Sequence, residues 1–198
     1  MHIGILIFDE VEVLDACGPF EVFSVAARLQ GKDRDPEAIK VTLVSAYPER
    51  AVVVARGGLK LTADTTIADA PPFSLLLVPG GVTAEVERDP RVIEWIAERS
   101  STPIVASVCT GAFLLAEAGI LTNQTVTTHW EDQAELAARY PGLTVVGGLR
   151  WVQQGRIFTS AGISAGIDLA LHLTGLADPG LPTRVARQMD YAWQAEGE

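Results

Sequence analysis

The segment Ile104-Val-Ala-Ser-Val108 runs directly into Cys109-Thr110-Gly111, and a second apolar segment follows at once. A short continuous apolar run is typical of a strand buried on both faces, as in a parallel sheet. The next apolar residues recur at helical spacing up to Ala118, and Gly119 is a residue type that ends helices. This stretch therefore predicts a buried parallel strand, a tight turn at Cys109 and a helix.

The rest of the chain repeats this alternation of strands and helices. Strands are predicted at Ile3–Phe8, Val41–Val44, Leu75–Val78 and Thr125–Thr128, and hairpins at Val52–Leu61 and Arg150–Thr159. Helices are predicted from near Pro19 to Leu29, from Asp89 to Ala97, and over Trp130–Tyr140, Ile163–Leu176 and Leu181–Trp193. The charged segment Gly31–Glu37 predicts a surface loop. This order predicts one domain over residues 1–198 with an α/β fold. The predicted architecture is a flavodoxin-like, three-layer α/β sandwich, in which a mainly parallel sheet has helices on both faces and small β-hairpins.

Composition narrows the classes of partner. Apolar residues make up 48% of the 198 residues and charged residues 20%, which is enough to form a buried core. The 15 basic and 25 acidic residues give a net charge of −10, so we expect neither nucleic acid nor a membrane as a partner. Two cysteines make no disulfide framework, and the sequence has no signal-peptide pattern or long apolar run. We therefore expect a cytoplasmic protein.

Cys109 occupies a turn of the nucleophile-elbow type, with the small residues Ser107 and Gly111 two positions before and after it. A sulfur at the start of a helix has a lowered pKa, and the next N–H groups can receive negative charge from a substrate. The alternative is a buried structural cysteine. The strand-turn-helix setting favours the nucleophile. Cys17 lacks this setting and is expected to pack, although it can neighbour Cys109 at the same sheet edge.

Two further loops are expected at this edge, because the carboxyl ends of parallel strands lie together there. Asp15 is either an N-cap for the helix near Pro19 or a carboxyl group held protonated beside Cys109, where it exchanges protons with a reacting atom. Pro79-Gly80-Gly81 is either a simple turn or a source of N–H groups for developing negative charge. Glu12 and Glu21 are expected to be solvated.

One histidine follows a predicted strand, in Thr127-Thr-His129-Trp130. His129 is a candidate base for the Cys109 thiol, or a histidine that hydrogen-bonds in the wall of the crevice. His2 is terminal and His172 lies in an apolar helix, so both are poorer candidates. No spacing of Cys, His and acidic residues matches a metal site.

Together these motifs resemble the ThiJ/PfpI superfamily, a branch of the class I glutamine amidotransferase-like fold, over nearly the whole chain. The resemblance is closest to the branch that contains isonitrile hydratases and the sensor domains of AraC-type regulators. The matching segments are Leu14-Asp15 with Gly18-Pro19, Val78-Pro-Gly-Gly81, Ser107-Val-Cys-Thr-Gly111, Thr127-Thr-His-Trp130 and Ile163-Ser-Ala-Gly-Ile-Asp168.

The resemblance implies that Cys109 is the nucleophile, that Asp15 is its acidic partner and that Thr110 lies beside it. In an isonitrile hydratase the thiolate would attack the terminal isonitrile carbon and the acid would protonate that carbon. Water would then release an N-substituted formamide, with no cofactor. The resemblance also implies a small-molecule substrate and a homodimer.

Two departures from related patterns narrow the choice of activity. PfpI-type peptidases carry a histidine directly after the cysteine, where this chain has Thr110, so a peptidase is disfavoured. Glyoxalase and deglycase members usually carry glutamate where this chain has Asp15, which disfavours those activities without excluding them. A glyoxalase-like, deglycase-like or amidase-like activity is therefore a further alternative. AraC-type regulators continue into a helix-turn-helix region, whereas this sequence ends at Glu198, so we expect no direct DNA binding. The main alternative to a hydratase is a non-catalytic ligand sensor, or a redox sensor in which Cys109 is oxidised.

Overall fold

The structure is a computed structural model that describes residues 1–33 and 39–193. Its strands are β1 (His2–Ile7), β2 (Lys40–Ser45), β3 (Val52–Val54), β4 (Lys60–Thr62), β5 (Thr65–Thr66), β6 (Leu75–Val78), β7 (Ile104–Val108), β8 (Thr125–Val126), β9 (Thr144–Val145), β10 (Trp151–Gln154) and β11 (Ile157–Ser160). Its α-helices are α1 (Val13–Asp33), α2 (Pro90–Glu98), α3 (Gly111–Glu117), α4 (Gln133–Arg139), α5 (Ala165–Gly175) and α6 (Leu181–Gln188).

A seven-stranded sheet forms the centre of the fold, in the order β10-β11-β7-β6-β1-β2-β5. All neighbouring strands in it are parallel except the antiparallel pair β10 and β11. The chain moves from β1 to β2 in one direction and from β6 through β7 to β11 in the other. The order therefore reverses between β1 and β6, and in sheets of this type the crevice beyond the carboxyl ends at such a point binds ligands.

Helices cover both faces of this sheet. The crossovers β1-α1-β2 and β6-α2-β7 run in opposite directions across it. Because such crossovers are right-handed, their helices lie on opposite faces. α1 packs against α5 and α6, whereas α2 packs against α3, which also contacts β6 and β7. The predicted α/β sandwich with a mainly parallel sheet is confirmed.

The central strands are buried as their apolar runs predict. The side chains of Ile3, Ile5, Leu75, Leu76, Leu77 and Val105 are all fully buried. β6 and β7 match the predicted bounds, as does the antiparallel pairing of β3 with β4 around a turn at Arg56–Gly58. Asp89 caps α2 by accepting the N–H of Arg91. In the described part of the chain, no helix combines the length and apolarity needed to cross a membrane.

The prediction for the first helix is wrong at both ends. α1 begins at Val13, not near Pro19, and it includes Pro19. A proline inside a helix removes the hydrogen bond to the carbonyl four residues earlier, here that of Asp15, and the surrounding packing tolerates this loss. At the other end α1 continues to Asp33, so the first three residues of the predicted loop, 31–33, are helical. The remainder of that predicted loop, residues 34–37, lies outside the described residues.

Several other predicted elements are shorter in the structure. The strand predicted at Thr125–Thr128 ends at Val126, because Thr127 and Thr128 hydrogen-bond to neighbouring segments instead. The helix predicted over Trp130–Tyr140 covers only Gln133–Arg139. The last two predicted helices are confirmed in kind, with the shorter bounds of α5 and α6.

Candidate active site

Cys109 lies in the turn between β7 and α3, with its backbone in the left-handed region at φ 56°. This conformation is uncommon for residues other than glycine and is often found at functional sites. Hydrogen bonds hold the turn on both sides: the Cys109 N–H donates to the carbonyls of Ser160 (3.1 Å) and Ala161 (3.3 Å), and the Thr128 hydroxyl donates to the Cys109 carbonyl (2.7 Å). The turn is therefore a rigid support for the thiol.

Gly111 permits the close packing of this turn against β6. A Cβ atom at Gly111 would lie 2.1 Å from the carbonyl oxygen of Val78, which is closer than real Cβ contacts allow. The small residue that the sequence places two positions after Cys109 is thus required by the approach of the neighbouring strand. The elbow geometry predicted from the spacing is present.

Asp15 lies in the first turn of α1, and its side chain is fully buried. It does not act as an N-cap, since the helix already begins at Val13. The Gly80 N–H donates to Asp15 Oδ2 (3.1 Å), while Oδ1 is buried without a hydrogen-bonding partner. The side chain of Cys109 and the N–H of Ile163 both lie close enough to lower the pKa of the Asp15 carboxyl. The structure therefore brings Asp15 and Cys109 together.

Burial dominates the electrostatics of this pair. It raises the pKa of Asp15 to about 7 and, together with the charge of Asp15, raises the pKa of Cys109 to about 12. The N–H groups of Thr110 and Ile163 act in the opposite direction on the thiol, but burial outweighs them. The expectation of a lowered thiol pKa is therefore wrong for the free site. The proton stays on sulfur, and Asp15 is the group that is poised to accept it near neutral pH.

Thr110 joins the elbow to the glycine loop that follows β6. Its hydroxyl accepts the Gly81 N–H (2.9 Å) and donates to the Gly81 carbonyl (3.0 Å). A Cβ atom at Gly80 would lie 2.5 Å from both the nitrogen and Oγ1 of Thr110. The N–H groups of Gly80 and Gly81, expected to face developing charge, are thus already bound to Asp15 and Thr110. The N–H groups of Thr110 and Ile163 lie beside the sulfur instead.

His129 lies in the wall of the cavity that contains Cys109. Its Nδ1 is 3.3 Å from Asp132 Oδ2, and its ring packs so closely on Gly162 that a Cβ atom there would lie 2.1 Å from Cδ2. The cavity has a volume of about 220 Å³ and is lined by Glu12, Arg56, Gly81, Cys109, Thr110, His129, Glu131, Asp132 and Ile163. His129 therefore shares the cavity with the thiol, and Asp132 orients its ring.

Five cavity residues were not expected from sequence: Glu12, Arg56, Glu131, Asp132 and Ile163. Glu12 is mostly buried and pairs with Arg56 (3.2 Å), so the expectation that Glu12 is solvated is wrong. Arg56 comes from the turn of the β3-β4 hairpin, whose position relative to the sheet no local pattern indicates. Ile163 has φ 50°, a conformation that its branched side chain disfavours. Asp132 has a raised pKa because of burial.

A larger cavity adjoins the first one. It has a volume of about 470 Å³ and shares Gly81, Thr110 and Asp132 with the Cys109 cavity. Its far wall contains Phe113 and Arg139, whose guanidinium pairs with Glu87 (2.6 Å) and lies 5.0 Å from the Phe113 ring centre. The site thus consists of a small reactive cavity that continues into a wider groove.

The remaining candidates lie away from this cavity lining. Cys17 is half-buried on α1, and burial raises the pKa of its thiol. His2 Nε2 lies 2.9 Å from the hydroxyl of Thr42, at the opposite end of the sheet. His172 packs against the ring of Trp151 in the α5 layer. Among residues 1–33 and 39–193, no group of three or more His, Cys, Asp or Glu side chains is arranged to hold a metal ion.

Comparison with known proteins confirms the resemblance drawn from the motifs. The sequence profile of the DJ-1/PfpI family matches residues 1–175. Isonitrile hydratase from Pseudomonas putida is 32% identical over 199 residues, covering 97% of this chain and 79% of that protein. The HTH-type transcriptional regulator GbdR from Pseudomonas aeruginosa is 28% identical over 87% of this chain but over only 46% of the regulator. A ThiJ/PfpI family protein from Pseudomonas syringae has the same fold, with a TM-score of 0.82 at 23% identity over 98% of this chain and 76% of that one.

Proposed function

The chain belongs to the DJ-1/PfpI family, and we propose that it is a cysteine-dependent hydratase that converts an isonitrile and water into an N-substituted formamide. The observation that carries this proposal is the buried pair of Asp15 and Cys109, in which an acceptor for the thiol proton stands beside the nucleophile. The similarity to isonitrile hydratase over 97% of the chain supports the choice of substrate class.

In the first half of the reaction, Asp15 acts as base and then as acid. Its carboxylate takes the proton of the Cys109 thiol, and the sulfur forms a bond to the terminal carbon of the isonitrile. The N–H groups of Thr110 and Ile163, which lie beside the sulfur, stabilise the thiolate as it forms. Asp15 then gives the proton to the same carbon. The product is a thioimidate, in which this carbon carries one hydrogen and is bound to both nitrogen and sulfur.

In the second half, water completes the hydration. The water oxygen adds to the thioimidate carbon while Asp15 takes a water proton and passes it to the nitrogen. The carbon–sulfur bond then breaks, the oxygen keeps a double bond to carbon, and the hydroxyl proton returns through Asp15 to sulfur. One isonitrile and one water have become one formamide, and the Cys109 thiol and Asp15 carboxylate are restored. Each proton transfer is assigned to Asp15, so the reaction as written uses no cofactor.

The two cavities fit a small-molecule substrate with a compact reactive end. The smaller cavity, of about 220 Å³, accommodates the isonitrile group next to Cys109. The wider groove beyond Thr110 accommodates the substituent on nitrogen. His129 lines the small cavity, and its contact with Asp132 (3.3 Å) holds the ring in the cavity wall.

The test is turnover of a simple alkyl isonitrile, with formamide followed by NMR. Wild type, Cys109→Ser and Asp15→Asn are compared, with Cys17→Ser as the matched control because Cys17 is the other free cysteine. We expect formamide from wild type and Cys17→Ser and a loss of at least about 100-fold in the other two variants. Equal turnover by Cys109→Ser and wild type would refute the assignment.

A second candidate function is ligand sensing without turnover. The match to GbdR covers 87% of this chain, and it shows that a chain of this kind is also found within a transcriptional regulator. A sensor would bind a ligand in the same cavity in both wild type and Cys109→Ser and release no product. Titration calorimetry with the isonitrile, run beside the NMR assay, separates the two functions.

We also propose that the protein is a cytoplasmic homodimer. Its two cysteines are free, which suits a reducing compartment. Light scattering coupled to size-exclusion chromatography should give a mass of about twice 21.1 kDa. A mass near 21.1 kDa at micromolar concentration would contradict the dimer.

A further inference from the structure

The loop between β11 and α5, residues 161–164, contacts the candidate catalytic residues at three points. The carbonyls of Ser160 and Ala161 accept the N–H of Cys109. Gly162 gives room for the ring of His129. The N–H of Ile163 lies beside the Cys109 sulfur and the Asp15 carboxyl, where it lowers the pKa of both. The position of this loop therefore sets part of the environment of the reacting groups.

Arg150, which precedes β10, holds the loop from outside the cavity. Its carbonyl accepts the Ala161 N–H (2.9 Å), and its guanidinium lies 3.4 Å from the Ser164 hydroxyl. The same guanidinium donates from Nε (2.8 Å) and from Nη2 to one oxygen of Asp168, whose side chain is fully buried in α5. The hydroxyl of Tyr191 lies against both charged groups. Arg150 is thus bound to the beginning of the loop, to its end and to the helix that follows.

The loop needs such support because its conformation is strained. Ile163 has φ 50°, in the left-handed region that β-branched residues disfavour. A residue keeps this conformation only when surrounding contacts over-determine it. The described contacts that bind the two ends of the loop together converge on Arg150.

We propose that Arg150, anchored on Asp168, is a positioning residue that keeps the Ile163 N–H directed at Cys109 and Asp15. This inference rests on the proposed catalytic role of that pair, and it applies whatever electrophile the pair attacks. The alternative is that the Arg150–Asp168 pair only stabilises the attachment of α5 to the sheet. The two roles differ in whether they affect the proton equilibrium of the Cys109–Asp15 pair.

The direction of that effect can be worked out from charge and geometry. If the loop relaxes, the Ile163 N–H moves away and the pKa values of the thiol and the carboxyl rise. Arg150→Lys keeps the positive charge but loses the forked geometry of the guanidinium. Asp168→Asn removes a negative charge, which by charge alone lowers those pKa values, whereas a relaxed loop raises them. Other titratable or charged groups that face the pair are unchanged in both variants: Glu12, Arg56, His129, Glu131 and Asp132.

The experiment measures the rate at which iodoacetamide alkylates Cys109 as a function of pH, in a Cys17→Ser background. This measurement reports on the pair even if isonitriles are not substrates. The variants are Arg150→Lys and Asp168→Asn, and the control is Arg156→Lys. Arg156 belongs to the same hairpin but donates to the carbonyls of Ser100 and Thr102, at the other end of the sheet.

Because the Asp15 carboxylate takes the thiol proton, the rate of alkylation should rise with a midpoint near pH 7, where Asp15 ionises. We expect this midpoint to move upward by roughly half a pH unit or more in both variants and to stay unchanged in the control. Turnover of an isonitrile by Arg150→Lys should fall about tenfold. Melting temperatures are recorded for all variants. If both variants melt lower but keep the wild-type midpoint, or if Asp168→Asn moves it downward, the positioning role is refuted. If one variant does not fold, the midpoint of the other variant tests the positioning role: an upward shift supports it, and an unchanged or lower midpoint refutes it. If wild type does not turn over the isonitrile but the midpoint still shifts in both variants, the hydratase is refuted and the positioning role is supported.

Discussion

Asp15 and Cys109 share one buried environment, although the first lies on the helix after β1 and the second in the turn after β7. Burial raises the pKa of the carboxyl to about 7 and that of the thiol to about 12. Transfer of one proton from the Cys109 sulfur to the Asp15 carboxylate converts the resting pair into a thiolate beside a protonated acid. This relationship makes the activity, the stability and the pH dependence of the protein depend on the same two groups.

The first prediction concerns the pH dependence of turnover. Asp15 must be ionised to take the thiol proton, so kcat/KM should rise with pH and level off above about 7. Below that value it should fall about tenfold per pH unit. Because the thiol pKa lies near 12, no falling limb is expected up to a pH of about 9. A profile that declines between about pH 7 and 9 would contradict this assignment.

The second prediction concerns stability. The pKa of Asp15 is 3.8 in the unfolded chain and about 7 in the folded one, so the folded state holds its proton more tightly. The stability linked to this group is complete below pH 3.8 and is lost as pH rises toward 7. Asn cannot ionise, so the unfolding free energy of Asp15→Asn lacks this pH dependence. The difference in unfolding free energy between Asp15→Asn and wild type should therefore grow by roughly 3 kcal/mol, in favour of the variant, from about pH 5 to about pH 8.

Urea denaturation at these two pH values measures that difference. Asp69→Asn, at an exposed carboxyl, is the control and should differ from wild type by the same amount at both values. The raised pKa of Asp15 would be refuted if the gap between wild type and Asp15→Asn did not depend on pH.

The third prediction concerns Gly111. A methyl group there would meet the carbonyl oxygen of Val78 at 2.1 Å, and neither backbone segment can move without disturbing the sheet. Gly111→Ala should therefore lower the unfolding free energy by roughly 3 kcal/mol. Gly180→Ala is the control, since its Cβ would make only an ordinary contact of 3.5 Å. Equal stability of the two variants in urea would refute the close approach of Gly111 to the Val78 carbonyl.

The fourth prediction concerns the Thr110 hydroxyl, which bridges the N–H and the carbonyl of Gly81. Thr110→Val keeps the shape but leaves the Gly81 groups without this partner, at a cost of roughly 1–3 kcal/mol. We expect the glycine loop to shift and kcat/KM to fall at least about tenfold. Thr110→Ser, which keeps the hydroxyl, should retain most of the activity. If the serine and valine variants lose activity equally, the hydrogen bonds between the residue 110 hydroxyl and Gly81 do not account for the activity.

The sequence is informative about the parts of this fold that follow periodic patterns. The apolar runs predict β6 and β7 to the residue, and the order of elements predicts that Asp15, the glycine loop and Cys109 meet at one edge of the sheet. Pro19 misleads, because proline usually marks a helix boundary and here lies inside α1.

The details of the site depend on where backbone N–H groups point, which residue types do not encode. Whether the Gly80 N–H faces a substrate or Asp15 is decided by packing of the loop against Thr110, not by the glycines themselves. The left-handed conformation of Ile163 contradicts its local preference and is held by contacts from distant segments. Burial, which no local pattern measures, reverses the expected shift in the pKa of Cys109.

The most direct measurement is intact-protein mass spectrometry of the protein mixed with an alkyl isonitrile and quenched with acid within milliseconds. We expect a transient increase equal to the full mass of the isonitrile, located by peptide mapping on Cys109 and absent from Cys109→Ser. Formamide production without any such adduct, or an adduct at Cys17 alone, would contradict the assignment of Cys109 as the nucleophile.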